Sequence, residues 1–432
     1  MRNVGLFGVV VSAIALATAC GGGSNTIDAA VGDAPSADAA GPFSARVDFA
    51  TNVGPDSVAI ADLNGDGKPD LAIASAQSDI VSVLLNTAAT GAMTPSFSAR
   101  VDLPTGTGPR SVALSDINGD GKPDIVVANL GSGMSVLLNT TATGSTTANF
   151  SPKVDFAFGG NCDSIAIADL NGDGKPDVAV ANLDLHSVSV LLNTTTMGAP
   201  TPTFSANADF TTAGSSAVAI ADFNGDGKPD LAVSNGGQSR TVSILLNTTT
   251  TSATTPTFSV NVDFATATTT TTFLIVDSLA IGDLNGDGKP DLAVTNNNLT
   301  GTEFHSVSVL LDTTASGAAT PSFSANVDFT STCGTAPAPG SVAIGDLNRD
   351  GKPDVAFASA GGLPVLGGNV CGVSVLLNTT TGATTLSFST RMDFATTTTV
   401  DPPSVATADL NGDGKLDLVV GGVDAVSVLL AG

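Results

Sequence analysis

The segment Asp62-Leu63-Asn64-Gly65-Asp66-Gly67-Lys68-Pro69-Asp70 places oxygen-bearing side chains at its first, third, fifth and ninth positions, Asp62, Asn64, Asp66 and Asp70. The main-chain carbonyl of Lys68 adds a fifth donor position. Six later segments repeat the arrangement. They are Asp116, Asn118, Asp120, Lys122 and Asp124; Asp169, Asn171, Asp173, Lys175 and Asp177; and Asp222, Asn224, Asp226, Lys228 and Asp230. The remaining three are Asp283, Asn285, Asp287, Lys289 and Asp291; Asp346, Asn348, Asp350, Lys352 and Asp354; and Asp409, Asn411, Asp413, Lys415 and Asp417. Alternate residues of a tight loop can aim carboxylates at one point, and glycine at position 6 lets the chain double back. Calcium prefers six to eight hard oxygen ligands, so seven such loops predict up to seven calcium ions. Without a cation the carboxylates repel one another by about 3 kcal/mol per pair at ~5 Å. Polar turns alone would explain an isolated Asp-Gly, but not Asp at both position 1 and position 9 in every copy. An EF-hand is excluded, because position 12 is apolar, as in Ile73, where that loop needs a bidentate Glu.

The loops need elements to hold them, and apolar words flank each one. Ser57-Val58-Ala59-Ile60-Ala61 leads in, Leu71-Ala72-Ile73-Ala74 leads out, and Val81-Ser82-Val83-Leu84-Leu85 follows. A fourth word, Phe43 to Phe49, recurs from Phe97, Phe150, Phe204, Phe258, Phe323 and Phe388. Short apolar runs bounded by turn residues read as strands, and Val58 and Ile60 alternate with Ala59 and Ala61 as in half-buried sheets. Four strands repeated seven times at intervals of 53 to 63 residues predict an all-β fold, a seven-bladed β-propeller of four-stranded blades. The chain enters on a Phe43 word and stops at Val426 to Leu430, so the last unit lacks its own outer strand. Residues 43 to 49 are therefore expected to close the ring by completing the last blade, leaving no free edge.

Ahead of the ring, Arg2 precedes an apolar run from Val4 to Ala19 that is too short to span as a mature helix. Residues 1–20 read as an export signal, and the small residues before Cys20 resemble a bacterial lipobox, with Ala17 where Leu is usual. Lipidation of Cys20 and cleavage without lipidation both remain open. Residues 21–42 are Gly, Ala, Ser and Asp, a flexible tether with a reach of roughly 25 Å. The domain proper is 43–432. An exported protein follows, on the outer membrane or cell surface through a lipid anchor, otherwise periplasmic or secreted.

The formal net charge of −25 has its source largely in the loops, and it argues against phosphate-backbone partners, so no nucleic acid is expected. Trp and Tyr are absent, which counts against aromatic stacking on sugars. Long inserts, Thr266 to Val276, Ser331 to Gly340, Gly361 to Gly372 and Thr396 to Pro403, fall on the face opposite the loops. That face is the expected place for a protein or glycan ligand, although threonine-rich drift accounts for the same inserts. Cys333 and Cys371 share one unit and one face, which makes a disulfide between them an expectation and leaves Cys162 single. His186 and His305 precede third strands as solvated loop residues. Asn139, Asn193, Asn247 and Asn378 stand in Asn-Thr-Thr, where turn chemistry is preferred over glycosylation.

These words, Ser57 to Asp70 and Val81 to Asn86 above all, resemble FG-GAP or VCBS repeat proteins, whose relatives include the integrin α headpiece propeller. The resemblance spans residues 43 to 432 and implies calcium in the loop between the first two strands of each blade. It departs at Arg349, in place of Gly at position 4 of the sixth loop, and at Leu416, in place of Pro at position 8 of the seventh. No nucleophile elbow, Cys-His pair or histidine metal cluster is present in the sequence. The expected function is a non-enzymatic, calcium-binding, monomeric cell-envelope scaffold for adhesion or interaction. A calcium-dependent polysaccharide lyase or hydrolase and a structural spacer are the alternatives.

Overall fold

A computed structural model describes residues 42–131, 133–236, 239–266, 274–298, 305–331, 339–359, 372–382, 385–396 and 404–432. The regular structure of these residues is 28 strands in seven antiparallel sheets of four. Blade one runs through Pro55–Ala61, Asp70–Ser75, Ile80–Leu84 and Val101–Pro104. Blades two to six repeat that up-and-down order over 109–156, 162–211, 217–265, 274–331 and 339–394. Blade seven takes Val405–Ala408, Asp417–Gly421 and Ala425–Leu429, and its outer strand is Val47–Ala50 from the other end of the chain.

The expected closure is therefore present. Val47 pairs with Val428 and Ala50 with Ala425, and a further bridge joins Phe43 to Ala431. Gly432 N donates to Pro42 O at 2.7 Å, so the two ends lie side by side.

Strand alternation serves a different purpose from the one expected. The sheets are not half-buried, because second strands such as Asp70–Ser75 are buried at every residue. Val58, Leu71, Ile73 and Leu84 of blade one pack on Leu410, Val419, Val426 and Val428 of blade seven. Ala59, Ala72, Ala74, Val81 and Val83 pack on Val112, Ile125 and Val127 of blade two. Each sheet is thus a layer between two neighbours, and period-2 alternation sorts side chains between left and right blades instead of between core and water. Apolar residues on both faces are what such strands require.

Two further sets of contacts join the blades. Near the axis, the backbone N–H of Val112 donates to Ser57 Oγ at 3.2 Å, Ile165 to Ser111 at 3.3 Å, and Val218 to Ser164 at 3.2 Å. At the rim, Phe49 meets Phe97 edge-on at 4.9 Å, Phe210 meets Phe258 at 4.9 Å, and Phe43 meets Phe394 at 5.2 Å across the closing blade. Such edge-to-face pairs each add about 0.5–1.5 kcal/mol beyond area burial. This explains why phenylalanine recurs at both ends of the outer-strand word.

The nine-residue loops join first to second strands, so the up-and-down order puts all seven on one face, together with the hairpins from third to outer strands. The described turns from second to third strands, such as 76–79, and from outer strands to the next blade, such as 105–108, lie at the other end. Most of 266–276, 331–340, 361–372 and 396–403 falls outside the described residues, as do Cys20, Cys333 and Cys371.

Candidate metal-binding loops

In the first loop Asp62 Oδ1 accepts the N–H of Asp66 at 3.1 Å and its Oδ2 accepts that of Gly67 at 2.7 Å. Asn64 Oδ1 also accepts Asp66 N at 3.0 Å, and Asp66 Oδ1 accepts Lys68 N at 3.0 Å. The turn requires left-handed backbone at Gly65 (φ +69°) and Gly67 (φ +86°), which only glycine adopts at no steric cost. Asp70 is buried and ties the loop to the sheet: Oδ2 accepts Leu63 N at 2.8 Å and Oδ1 accepts Asn86 N at 2.7 Å.

The same bonds recur in the other loops. The first-position carboxylates of Asp116, Asp169, Asp222, Asp283, Asp346 and Asp409 hold the equivalent N–H pairs. The ninth-position carboxylates Asp124, Asp177, Asp230, Asp291, Asp354 and Asp417 are all buried and anchored like Asp70. Sevenfold repetition of sequence has become sevenfold repetition of geometry.

Burial sets the electrostatics of position 9. Desolvation raises Asp70, Asp354 and Asp417 from 3.8 to about 6, and Asp124, Asp177, Asp230 and Asp291 to about 7. Backbone N–H donors oppose the rise, while the carboxylates at positions 1 and 5 of the same loop add to it. Among the described residues no ion pair reaches a loop carboxylate. The structure thus brings positions 1, 3, 5 and 9 onto one turn, close enough for the acids to perturb one another. It does not assemble three or more His, Cys, Asp or Glu side chains into a closed metal cage among the described residues. The donor set itself is all oxygen and suits a hard cation.

Neighbouring blades grip these loops. The third-to-outer hairpin of the next blade crosses position 3: Gly144 N donates to Asn64 O at 2.7 Å, and Asn64 Nδ2 donates to Ser145 O at 3.0 Å. Equivalent pairs hold Asn118, Asn171, Asn224 and Asn411. The hairpin also limits position 4, since a Cβ on Gly65 would come within 3.3 Å of Thr143 and one on Gly412 within 3.3 Å of Thr90.

Both sequence departures have a structural reason. Blade seven has no third-to-outer hairpin, because its outer strand is Val47–Ala50. Position 4 of the sixth loop is therefore uncovered, and Arg349 stands there at φ +62°, donating to Gly414 O (2.8 Å) and Asp413 O (2.6 Å) of the seventh loop. Leu416 reaches Gly345, where an added Cβ would lie 2.7 Å from its Cδ1, so the larger side chain matches a smaller neighbour.

The Asn-Thr-Thr asparagines are inter-blade staples as well as turn residues. Asn139 Oδ1 accepts Thr141 N at 2.9 Å, and its Nδ2 donates to Leu63 O of blade one (2.8 Å) and to Pro123 O (2.9 Å). Asn86, Asn193, Asn247 and Asn378 do the same toward Leu410, Ile117, Leu170 and Leu284. All five are buried, which leaves no room for a glycan. Blade five has Asp312 at this place, a carboxyl without the two amide donors, and its buried Oδ2 has no hydrogen-bond partner. Asp312→Asn is expected to restore the staple and stabilise the ring by about 1–2 kcal/mol, measured by denaturant unfolding at pH 7.5 in EDTA. Unchanged or reduced stability would refute this account of the position.

Sequence reasoning missed a second repeating acid. Asp48, Asp102, Asp155, Asp209, Asp263, Asp328 and Asp393 on the outer strands accept from Ser427, Ser82, Ser135, Ser189, Ser243, Ser308 and Ser374 on the third strands. Arg46, Arg100, Lys153 and Arg391, each two residues earlier, pair with the same carboxylates where present. The signal was the Asp inside each Phe43-type word, which on an outer strand reads as ordinary solvation. Cys162 is buried against Asn182 Oδ1 at 3.4 Å, and its thiol is pushed up to about 12 by burial, so it is inert. His186 is exposed in a turn at φ +48°, and His305 opens its third strand.

Five segments match the sequence profile of the FG-GAP-like repeat, at 62–127, 116–180, 169–233, 283–357 and 358–420. Together they span most of the chain and contain all seven loops. No curated protein matches the sequence. Among solved structures the chain is similar to BBS1N, from a crystal of its complex with ARL6DN soaked with mercury. That match has 10% identity, a TM-score of 0.52 and coverage of 90% of this chain and 96% of that one. It is also similar to Sqt1 of Saccharomyces cerevisiae, with 10% identity, a TM-score of 0.50 and coverage of 90% and 98%. At such identities the likeness is one of fold alone.

Proposed function

Because this chain belongs to the FG-GAP-like repeat family, we propose that its β-propeller is a calcium-stabilised, non-enzymatic interaction scaffold. One observation carries the proposal: seven loops present the same oxygen donors in the same setting, each with a buried ninth-position carboxylate. Asp62, Asn64, Asp66, Asp70 and the carbonyl of Lys68, with their counterparts, would hold the ion. When bound, calcium supplies charge neutralisation at a loop that joins the first two strands of its own blade and touches the next blade. A non-catalytic reading is supported by how the recurring acids are used. The ninth-position series anchors loops to sheets and the outer-strand series holds third-strand serines, so both are engaged in architecture.

Ligand capture is assigned to the insert-bearing face, with export and lipid attachment at Cys20 as part of the same reading. A mass spectrum of the mature N-terminus tests the attachment. Calcium binding is tested by titration calorimetry on chelator-stripped protein. Extracellular modules bind calcium with dissociation constants of about 0.1–1 mM. At millimolar calcium each site would then contribute about 0.4–1.4 kcal/mol, several kcal/mol for the ring. Absence of both binding heat and thermal stabilisation at 10 mM calcium overturns the proposal.

A further inference from the structure

The seven loops are equivalent in sequence but not in cover. Loops one, two, three, four and seven each have the next blade's hairpin across position 3, and Asn64, Asn118, Asn171, Asn224 and Asn411 are only 5–6% exposed. For loop five the tip of the covering hairpin lies outside the described residues. Loop six differs for a topological reason, since the blade beside it receives its outer strand from the far end of the chain. Asn348 is exposed where its counterparts in the covered loops are buried, and its amide has only the bond to Asp350 Oδ2 at 3.3 Å, which loops two, four and seven make in addition to their hairpin bond.

Resting on the calcium reading above, we infer that loop six is the open, rapidly exchanging cation site of the ring, and that Arg349 takes over the bracing that a hairpin gives elsewhere. Its guanidinium spans to two carbonyls of loop seven, Gly414 O and Asp413 O. These lie at positions 5 and 6, outside the position-7 carbonyl expected to face the ion, so the brace leaves the donor set of loop seven intact. A left-handed backbone is costly for a residue with a Cβ, and the two charge-assisted bonds offset that cost. Chain connectivity sets the difference. Covered loops must shed a hairpin contact before an ion can leave, whereas loop six has none to shed.

The test is calcium release from the full chain into excess fluorescent chelator by stopped flow. The expected result is two phases, with about one ion per chain leaving roughly tenfold faster than the others, the ratio that one ordinary hydrogen bond would give. Asp350→Asn should abolish the fast phase. Asp226→Asn, in covered loop four, should remove one equivalent from the slow phase and leave the fast one intact. Arg349→Gly should accelerate the fast phase further, with Arg349→Lys intermediate because an ammonium replaces the two-pronged fork. A single phase, or loss of slow amplitude in Asp350→Asn, overturns the inference while leaving calcium binding in place. No bound calcium in the unsubstituted protein overturns the underlying reading as well.

Discussion

Stripped of divalent ions, the propeller is expected to lose stability as the pH rises from about 5 to about 8, and in millimolar calcium the trend should reverse. The native ninth-position carboxyls titrate at about 6 to 7 in place of 3.8, because burial penalises their charged form. Between those values the folded state holds protons that the unfolded chain has released. The resulting stabilisation is fully present below the unfolded pKa and is lost as the pH climbs through the folded one. One unit of displacement corresponds to about 1.4 kcal/mol for one group, so even half a unit realised at each of the seven would amount to about 5 kcal/mol. Calcium needs the ionised carboxylate, so its binding strengthens with pH and releases protons. Scanning calorimetry in EDTA should show Tm lower at pH 8 than at pH 5 by roughly 5–10 °C. A flat profile would mean that these carboxyls are ionised throughout.

The second large effect separates the ninth position from the fifth. Asp230→Ala should destabilise the protein by about 2–4 kcal/mol even in EDTA, because two buried N–H groups, those of Phe223 and Asn247, lose their acceptor. Asp226→Ala should cost less than about 1 kcal/mol in EDTA, since that carboxylate is exposed and serves its own turn through Lys228 N and the amide of Asn224. In saturating calcium the two variants should each lack one site, so the cost of Asp226→Ala should grow relative to the unsubstituted protein. Denaturant unfolding of both variants, with and without calcium, makes the comparison. Equal costs in EDTA would show that the ninth position has no architectural role apart from metal.

Much of this arrangement is legible in the sequence because each unit repeats its whole local code. The loop word fixes a turn through Gly65 and Gly67, and the words around it fix four strands. Even the closure is readable, since the outer-strand word at Phe43 has no third-strand word ahead of it in the sequence and Ala425–Leu429 is followed by no outer-strand word. What was not legible depends on which blade stands beside which. Val58 and Ala59 alternate in the same way whether the second face meets water or another sheet, and only the ring decides between the two. Asn139 looks like a turn residue because half of its bonding is local, while its amide donates to a carbonyl 76 residues earlier. Arg349 reads as a blemish in a repeat until the absent hairpin explains it.

The closing strand also decides how the molecule would bear mechanical load. Val47–Ala50 lies antiparallel to Ala425–Leu429 with four paired positions, and Pro42 sits beside Gly432. Tension drawn between those two adjacent ends would peel the pairs apart one after another, as a zipper opens. Tension entering at Pro42 and leaving through a distant blade would instead pull along the strand and strain all four pairs in parallel. The same clasp is therefore weak or strong according to where the pull leaves the ring.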